Sequence, residues 1–224
     1  MSDKRRHDDV MWMWPTPILR RRFDDHQRVN AALIPEFERI RSEFEKGERE
    51  RVFASPIDLH ERVDTPEMKQ LLKFFMDTVF GAATQANRHV WPRKQDIRIG
   101  FTGCWFQITN GHGFHETHIH GNCSWSAVYY VQAGDPDPEG RPQGATRFYG
   151  PYMDAAAGGH GDAGNMYLQH AHWDSPSEDG VLVLFPPWIK HTALPYAGER
   201  DRIIISFNAT VHSDVNQLQD WGFN

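Results

Sequence analysis

The sequence predicts a mainly β protein of the α+β class: a barrel or sandwich preceded by supporting helices. Three observations predict it. From Ile97 onward, short apolar or β-branched runs alternate with turns rich in Gly, Pro, Asp and Asn. Before about residue 95, apolar residues recur at helical spacing instead. The 224 residues are enough for one domain with a sizeable core. The expected organisation is a single domain over 1–224, with helix-rich support at 1–95, a β-barrel core at 96–212 and a C-terminal tail at 213–224.

In the first part, Val29, Leu33, Phe37, Ile40 and Phe44 share a helical face, and Pro35 is expected to end one helix and open the next. Thr65-Pro66-Glu67 is a strong helix start, with Thr65 as N-cap and Pro66 in the first turn. Met68, Leu71, Leu72, Phe75 and Val79 then form an apolar stripe suited to packing on a sheet. Strands are expected at 97–109, 124–132, 146–149, 166–168, 180–185 and 202–210, with turn-rich loops at 133–144 and 154–162.

Composition excludes several function classes. A net charge of −6 gives no general attraction to nucleic acid or anionic lipid. The apolar stretch at 10–19 is broken by Pro15 and Pro17 and lacks a cleavage site, and 181–189 is too short to span a bilayer. Two cysteines, Cys104 and Cys123, make no disulfide framework. The expectation is a soluble cytoplasmic protein without membrane or nucleic-acid partners.

The chemistry concentrates at 112–120, where His112, His115, His118 and His120 fall within nine residues. In an extended strand, residues two apart project to one face, so His118 and His120 can reach one ion; a helix would separate them. Neutral imidazole is a common ligand of iron, zinc and nickel, and three facial ligands with open positions suit non-haem Fe(II). A metal-free, His-rich loop is the bland alternative. His191 strengthens the metal reading, because it follows the apolar run at 181–185 and its Pro-Pro-Trp turn. Arg202, eleven positions later, opens another apolar run, and its planar fork suits a carboxylate. A salt bridge to one of the thirty acids is the competing explanation, but the position after a candidate ligand favours a carboxylate co-substrate.

Taken together, HIH at 118–120, SAVYYV at 126–131, GATRFYGP at 144–151, GVLVLFPPWIKH at 180–191, RIIISFN at 202–208 and the opening WPTPI at 14–18 carry a family resemblance. The sequence resembles the Fe(II)/2-oxoglutarate-dependent oxygenases with an HxHPxSxxSGVYYV pattern, and the resemblance covers most of the chain. It implies a double-stranded β-helix (jelly roll, cupin-like) with Fe(II) on His118, His120 and His191. It also implies that 2-oxoglutarate chelates the iron and sends its far carboxylate to Arg202. Tyr130 occupies a position that often serves that carboxylate, Ser126 shares its strand face, and Gln107 replaces a family Asn before the metal pair.

Three further residues depart from the pattern: Ala127 for Gly, Gly121 for Pro and Gly150 for Asp. Better-studied relatives use a carboxylate where this chain has His120. Glu116, on the face of His118 if the strand extends that far, and His115 therefore stay open as third ligands. The implied activity is a dioxygenase that hydroxylates a small molecule or an amino-acid or peptide side chain and decarboxylates 2-oxoglutarate to succinate. Its partners would be that substrate and O2, with a homodimer admitted. The rivals are a three-His cupin enzyme without 2-oxoglutarate and a non-catalytic metal-binding barrel. Trp105, Trp125, Tyr149, Trp173 and Trp188 are candidates for the substrate mouth, and His160, His170 and His172 for substrate contacts.

Overall fold

A computed structural model describes residues 16–45, 50–88, 91, 96–150 and 171–213. The strand expected at 166–168, the loop at 154–162, His160 and His170 lie outside these residues, as do Trp14, Pro15, Pro151 and residues 214–224. The elements are β1 (Leu19–Arg22), α1 (His26–Phe44), β2 (Val52–Ala54), α2 (Leu59–Arg62), α3 (Pro66–Ala86), β3 (Ile97–Thr109), β4 (Gly113–His118), β5 (Trp125–Gln132), β6 (Thr146–Tyr149), β7 (His172–Ser175), β8 (Val181–Phe185), β9 (His191–Tyr196) and β10 (Arg202–Ser213). They form two antiparallel sheets: a large one in the order β1-β8-β5-β10-β3-β2, and a small one in the order β4-β9-β6-β7.

Strand alternation divides the large sheet into two buried faces. Cys104, Phe106 and Ile108 of β3, Ala127, Tyr129 and Val131 of β5, and Ile203, Ile205 and Phe207 of β10 pack in one core with α1 and α3. The intervening Val128, Tyr130 and Ile204 point the other way, into a second core with Val181, Val183 and Phe185 of β8 and Phe148 of the small sheet. Every inward position on β3, β5 and β10 therefore faces the space between the sheets, where Gln107, Ser126, Tyr130 and Arg202 fall.

Four residues of the expected helical face, Val29, Leu33, Phe37 and Ile40, are buried, whereas Phe44 in the last turn is exposed. Pro35 does not divide it: α1 runs unbroken through that residue. An internal proline costs roughly 3 kcal/mol through its missing N–H and ring clash, and the continuous apolar face against the sheet offsets it. Thr65 caps α3 as expected, its side chain accepting from the Met68 N–H. Phe75 of α3 is fully buried, 4.8 Å from the Phe207 ring and 5.3 Å from that of Tyr129. Phe75→Ala should destabilise the fold by about 3–5 kcal/mol, read as a lower denaturation midpoint with an unchanged slope.

Candidate metal centre

Of the strands that build the site, β9 had no expected counterpart in the sequence, because polar residues and Pro195 hide it, and β4 ends at His118 where an extended strand through His120 was expected. A tight turn leads from β3 of the large sheet into β4 of the small one: the Gly113 N–H bonds the Asn110 carbonyl at 2.9 Å, and Gly111 and His112 both have positive φ, 56° and 64°. β4 pairs with β9 so that His118 stands opposite His191, and Phe148 of β6 flanks His191 on its other side. His120 lies two residues beyond the end of β4, held where its N–H meets the Pro187 carbonyl at 2.9 Å. One ligand nitrogen from each of His118, His120 and His191 falls within 4.8 Å of the others.

Backbone carbonyls orient two of these rings. The Nδ1–H of His118 donates to the Glu116 carbonyl at 2.7 Å, and that of His191 to the Ile189 carbonyl at 3.0 Å. Each assignment leaves Nε2 with a free lone pair, the tautomer a metal requires. The Nε2 atoms of His120 and His191 are 3.2 Å apart. Two nitrogens bound to one ion at about 2.1 Å, with an angle near 100°, would sit about 3.2 Å from each other. The residues present therefore fit a bound transition metal.

A bulge decides which neighbours join them. Between the pairs His115↔Ala193 and His118↔His191, β4 advances three residues while β9 advances two. The extra residue reverses the alternation, bringing His115 onto the face of His118 and displacing Glu116. His115 accordingly lines the same cavity as the three histidines, whereas Glu116 is exposed and outside its lining. Neither belongs to the cluster within ligand distance.

The far end of the cavity is built around Arg202. The first residue of β10 is 2% exposed, and its Nε and Nη2 have no hydrogen-bond partner among the described residues. Burial pushes its guanidinium below its usual range, an effect Tyr130 opposes. The Tyr130 ring centroid is 5.3 Å from the guanidinium carbon, and the Tyr130 hydroxyl bonds that of Thr146 at 2.9 Å. Gly144 has φ +63°, and a Cβ there would come within 2.8 Å of Arg202 Cδ, so only glycine leaves this arginine its place. No carboxylate lines the cavity among the described residues, so the competing explanation, an internal salt bridge for Arg202, finds no partner.

Other sequence candidates are distributed as follows. Gln107 and Trp105 line the cavity with Thr146 and Ser206, the last two carrying no signal in the sequence beyond polarity inside apolar strands. Ser126 is buried outside that lining, its hydroxyl donating to the Asn208 side chain at 2.8 Å. Trp125 belongs to the core on the helix side and not to the mouth. Trp188 is exposed and Trp173 stacks on Phe148. The exposed His172 lies on β7, at the edge of the small sheet.

The centre responds to pH in a defined direction. Burial, then the neighbouring His118, lowers His120 to about 4. Burial first, with nearby imidazoles adding and the Ile189 carbonyl opposing, lowers His191 also to about 4. In the unfolded chain both would titrate near 6.5, so between these values the unfolded state binds more protons than the folded one. The metal-free protein should therefore lose stability as pH falls from about 6.5 towards 4. Denaturation midpoints of chelator-treated protein across that window test this, and a midpoint that held or rose would refute it.

A family model described as "Putative 2OG-Fe(II) oxygenase" matches residues 103–208, a little under half the chain and most of its β-rich part. No curated protein sequence matches. Among solved structures, the chain is similar to a prolyl-4-hydroxylase from Pseudomonas putida, at 19% identity and TM-score 0.55, covering 87% of this chain and 93% of that one. It is similar to SnoN, a non-haem alpha-ketoglutarate-dependent epimerase of nogalamycin biosynthesis, at 10% identity and TM-score 0.56, covering 87% and 76%. It is also similar to HygX from Streptomyces hygroscopicus, solved with iron bound, at 13% identity and TM-score 0.54, covering 87% and 82%. At such identities the likeness is one of fold, and that fold is the double-stranded β-helix. Residues 103–208, which carry the three histidines and Arg202, thus match the model of the 2OG-Fe(II) oxygenases, a family of oxidoreductases, and the fold of the solved structures agrees with that match.

Proposed function

We propose that this chain is an Fe(II)- and 2-oxoglutarate-dependent dioxygenase that hydroxylates a small molecule or an amino-acid or peptide side chain. His118, His120 and His191 hold the iron. Arg202, with Tyr130 beside it, receives the distal carboxylate of 2-oxoglutarate, and Gln107 borders the same space. The described residues belong to one oxygenase domain in this reading, with α1 and α3 buttressing the barrel. Two free cysteines, Cys104 and Cys123, support a reducing, cytoplasmic setting.

The carrying observation is Arg202: a buried guanidinium with two orphaned nitrogens, in one cavity with three convergent histidines. A buried charge requires a partner, and a carboxylate from solution is the partner a bidentate fork accepts. Three neutral imidazoles leave the ion's charge undiminished, so the ion and the guanidinium together favour a dianion. When bound, iron and 2-oxoglutarate supply the oxidising chemistry, with O2 and substrate as the remaining partners. The protein's part is to aim the co-substrate, present the substrate on the exposed His118 side and exclude water with the apolar inner core.

The test is an anaerobic titration of the Fe(II)-loaded protein with 2-oxoglutarate, followed by its visible charge-transfer band, and then succinate release on adding O2. A band and succinate are expected. A site that binds Fe(II) but gives neither would favour a cupin-type enzyme or a non-catalytic barrel.

A further inference from the structure

His115 has an unusual position for a residue without an evident task. Its Nε2 is buried and has no hydrogen-bond partner among the described residues. A buried imidazole nitrogen left unpaired is unfavourable, so such a group points to something it bonds when the site is filled. Its surroundings indicate what that is. Across the small sheet, His118, His191 and Phe148 form one row, and His115, Ala193 and Thr146 form the next. Beyond it, Gly113 pairs with Tyr196, whose ring and Arg202 both crowd Gly144. His115 thus stands between the metal row and the Arg202 end, opposite Ala193, and lines one cavity with both. Thr192, whose hydroxyl donates to the His115 carbonyl, anchors this stretch of the bulge.

Resting on the function proposed above, we propose that His115 is a further co-substrate-binding residue, its Nε2–H donating to the distal carboxylate of 2-oxoglutarate held by Arg202. A carboxylate has about four acceptor sites, and the Arg202 fork fills two of them. Enclosed in protein, the others require donors. His115 is the orphaned donor in the same cavity, and the β4 bulge is what turns it inward.

The experiment titrates Fe(II)-loaded wild type, His115→Phe and His115→Gln anaerobically with 2-oxoglutarate and with 2-oxovalerate, which keeps the 2-oxo acid and lacks the distal carboxylate. Fe(II) affinity is measured in parallel. His115→Phe should raise the Kd for 2-oxoglutarate about ten- to hundredfold, leaving Fe(II) affinity and 2-oxovalerate binding unchanged. His115→Gln, which restores an N–H, should recover much of the loss. Wild-type affinity for 2-oxoglutarate in His115→Phe would overturn the inference alone. Equal weakening of both acids, or weaker Fe(II) binding, would overturn it in favour of a packing or ligand role. A wild type that binds Fe(II) but no 2-oxoglutarate would remove the underlying functional reading.

Discussion

Replacing Arg202 with methionine should make the protein more stable and unable to hold 2-oxoglutarate. The two effects share a cause. Arg202 is buried at the start of β10 with Nε and Nη2 unpartnered, and burial disfavours its charge. Exchanging buried charged groups for apolar ones of similar volume is often stabilising, by about 1–4 kcal/mol, so the co-substrate-free variant should melt higher by roughly 2–4 °C for each kcal/mol. The same change removes the buried cation that lines the cavity. Removing one partner of a buried charged pair costs about 2–5 kcal/mol, so the Kd for 2-oxoglutarate should rise at least about thirtyfold, while Fe(II) binding survives. A variant less stable than wild type, or one that still binds 2-oxoglutarate normally, would contradict the role given to this residue.

The second large effect concerns the ligand set. His118→Ala, His120→Ala and His191→Ala should each weaken Fe(II) binding by more than the 10–100-fold that follows loss of a residue behind a ligand. Glu116→Gln should leave it unchanged, because the bulge displaces that side chain and only its backbone carbonyl serves the site, through His118. Competition with a chelating dye under anaerobic conditions measures all four. Equal losses in Glu116→Gln and His120→Ala would transfer the third position to the carboxylate.

These residues show how unevenly the site could be read in advance. The strands of the large sheet were legible because both faces are buried: the apolar runs at 181–185 and 202–207 leave few alternatives to a central strand. β4, β7 and β9 were not. They line a polar cavity or lie at an edge, their side chains include His, Glu, Asp and Thr, and pairing supplies what propensity does not. β1 and β2 were missed for a related reason: both are short edge strands in the helix-rich segment, and β1 carries three consecutive arginines. Pro35 misled in the opposite direction, since local chemistry argued for a break that packing overrode.

The sequence by itself determined the class of the fold, the histidines and arginine on which the proposed site rests, and the family they resemble. Those follow from residue type, order and spacing, which survive without coordinates. Only the tertiary structure decided that Arg202 faces no carboxylate in its cavity among the described residues, that Ser126 is bound to Asn208, and that His115 shares the face of His118 while Glu116 does not. The physical reason is register. A bulge of one residue reverses every side chain on one side of it relative to the other, and nothing in the order of amino acids from 113 to 120 announces where it falls.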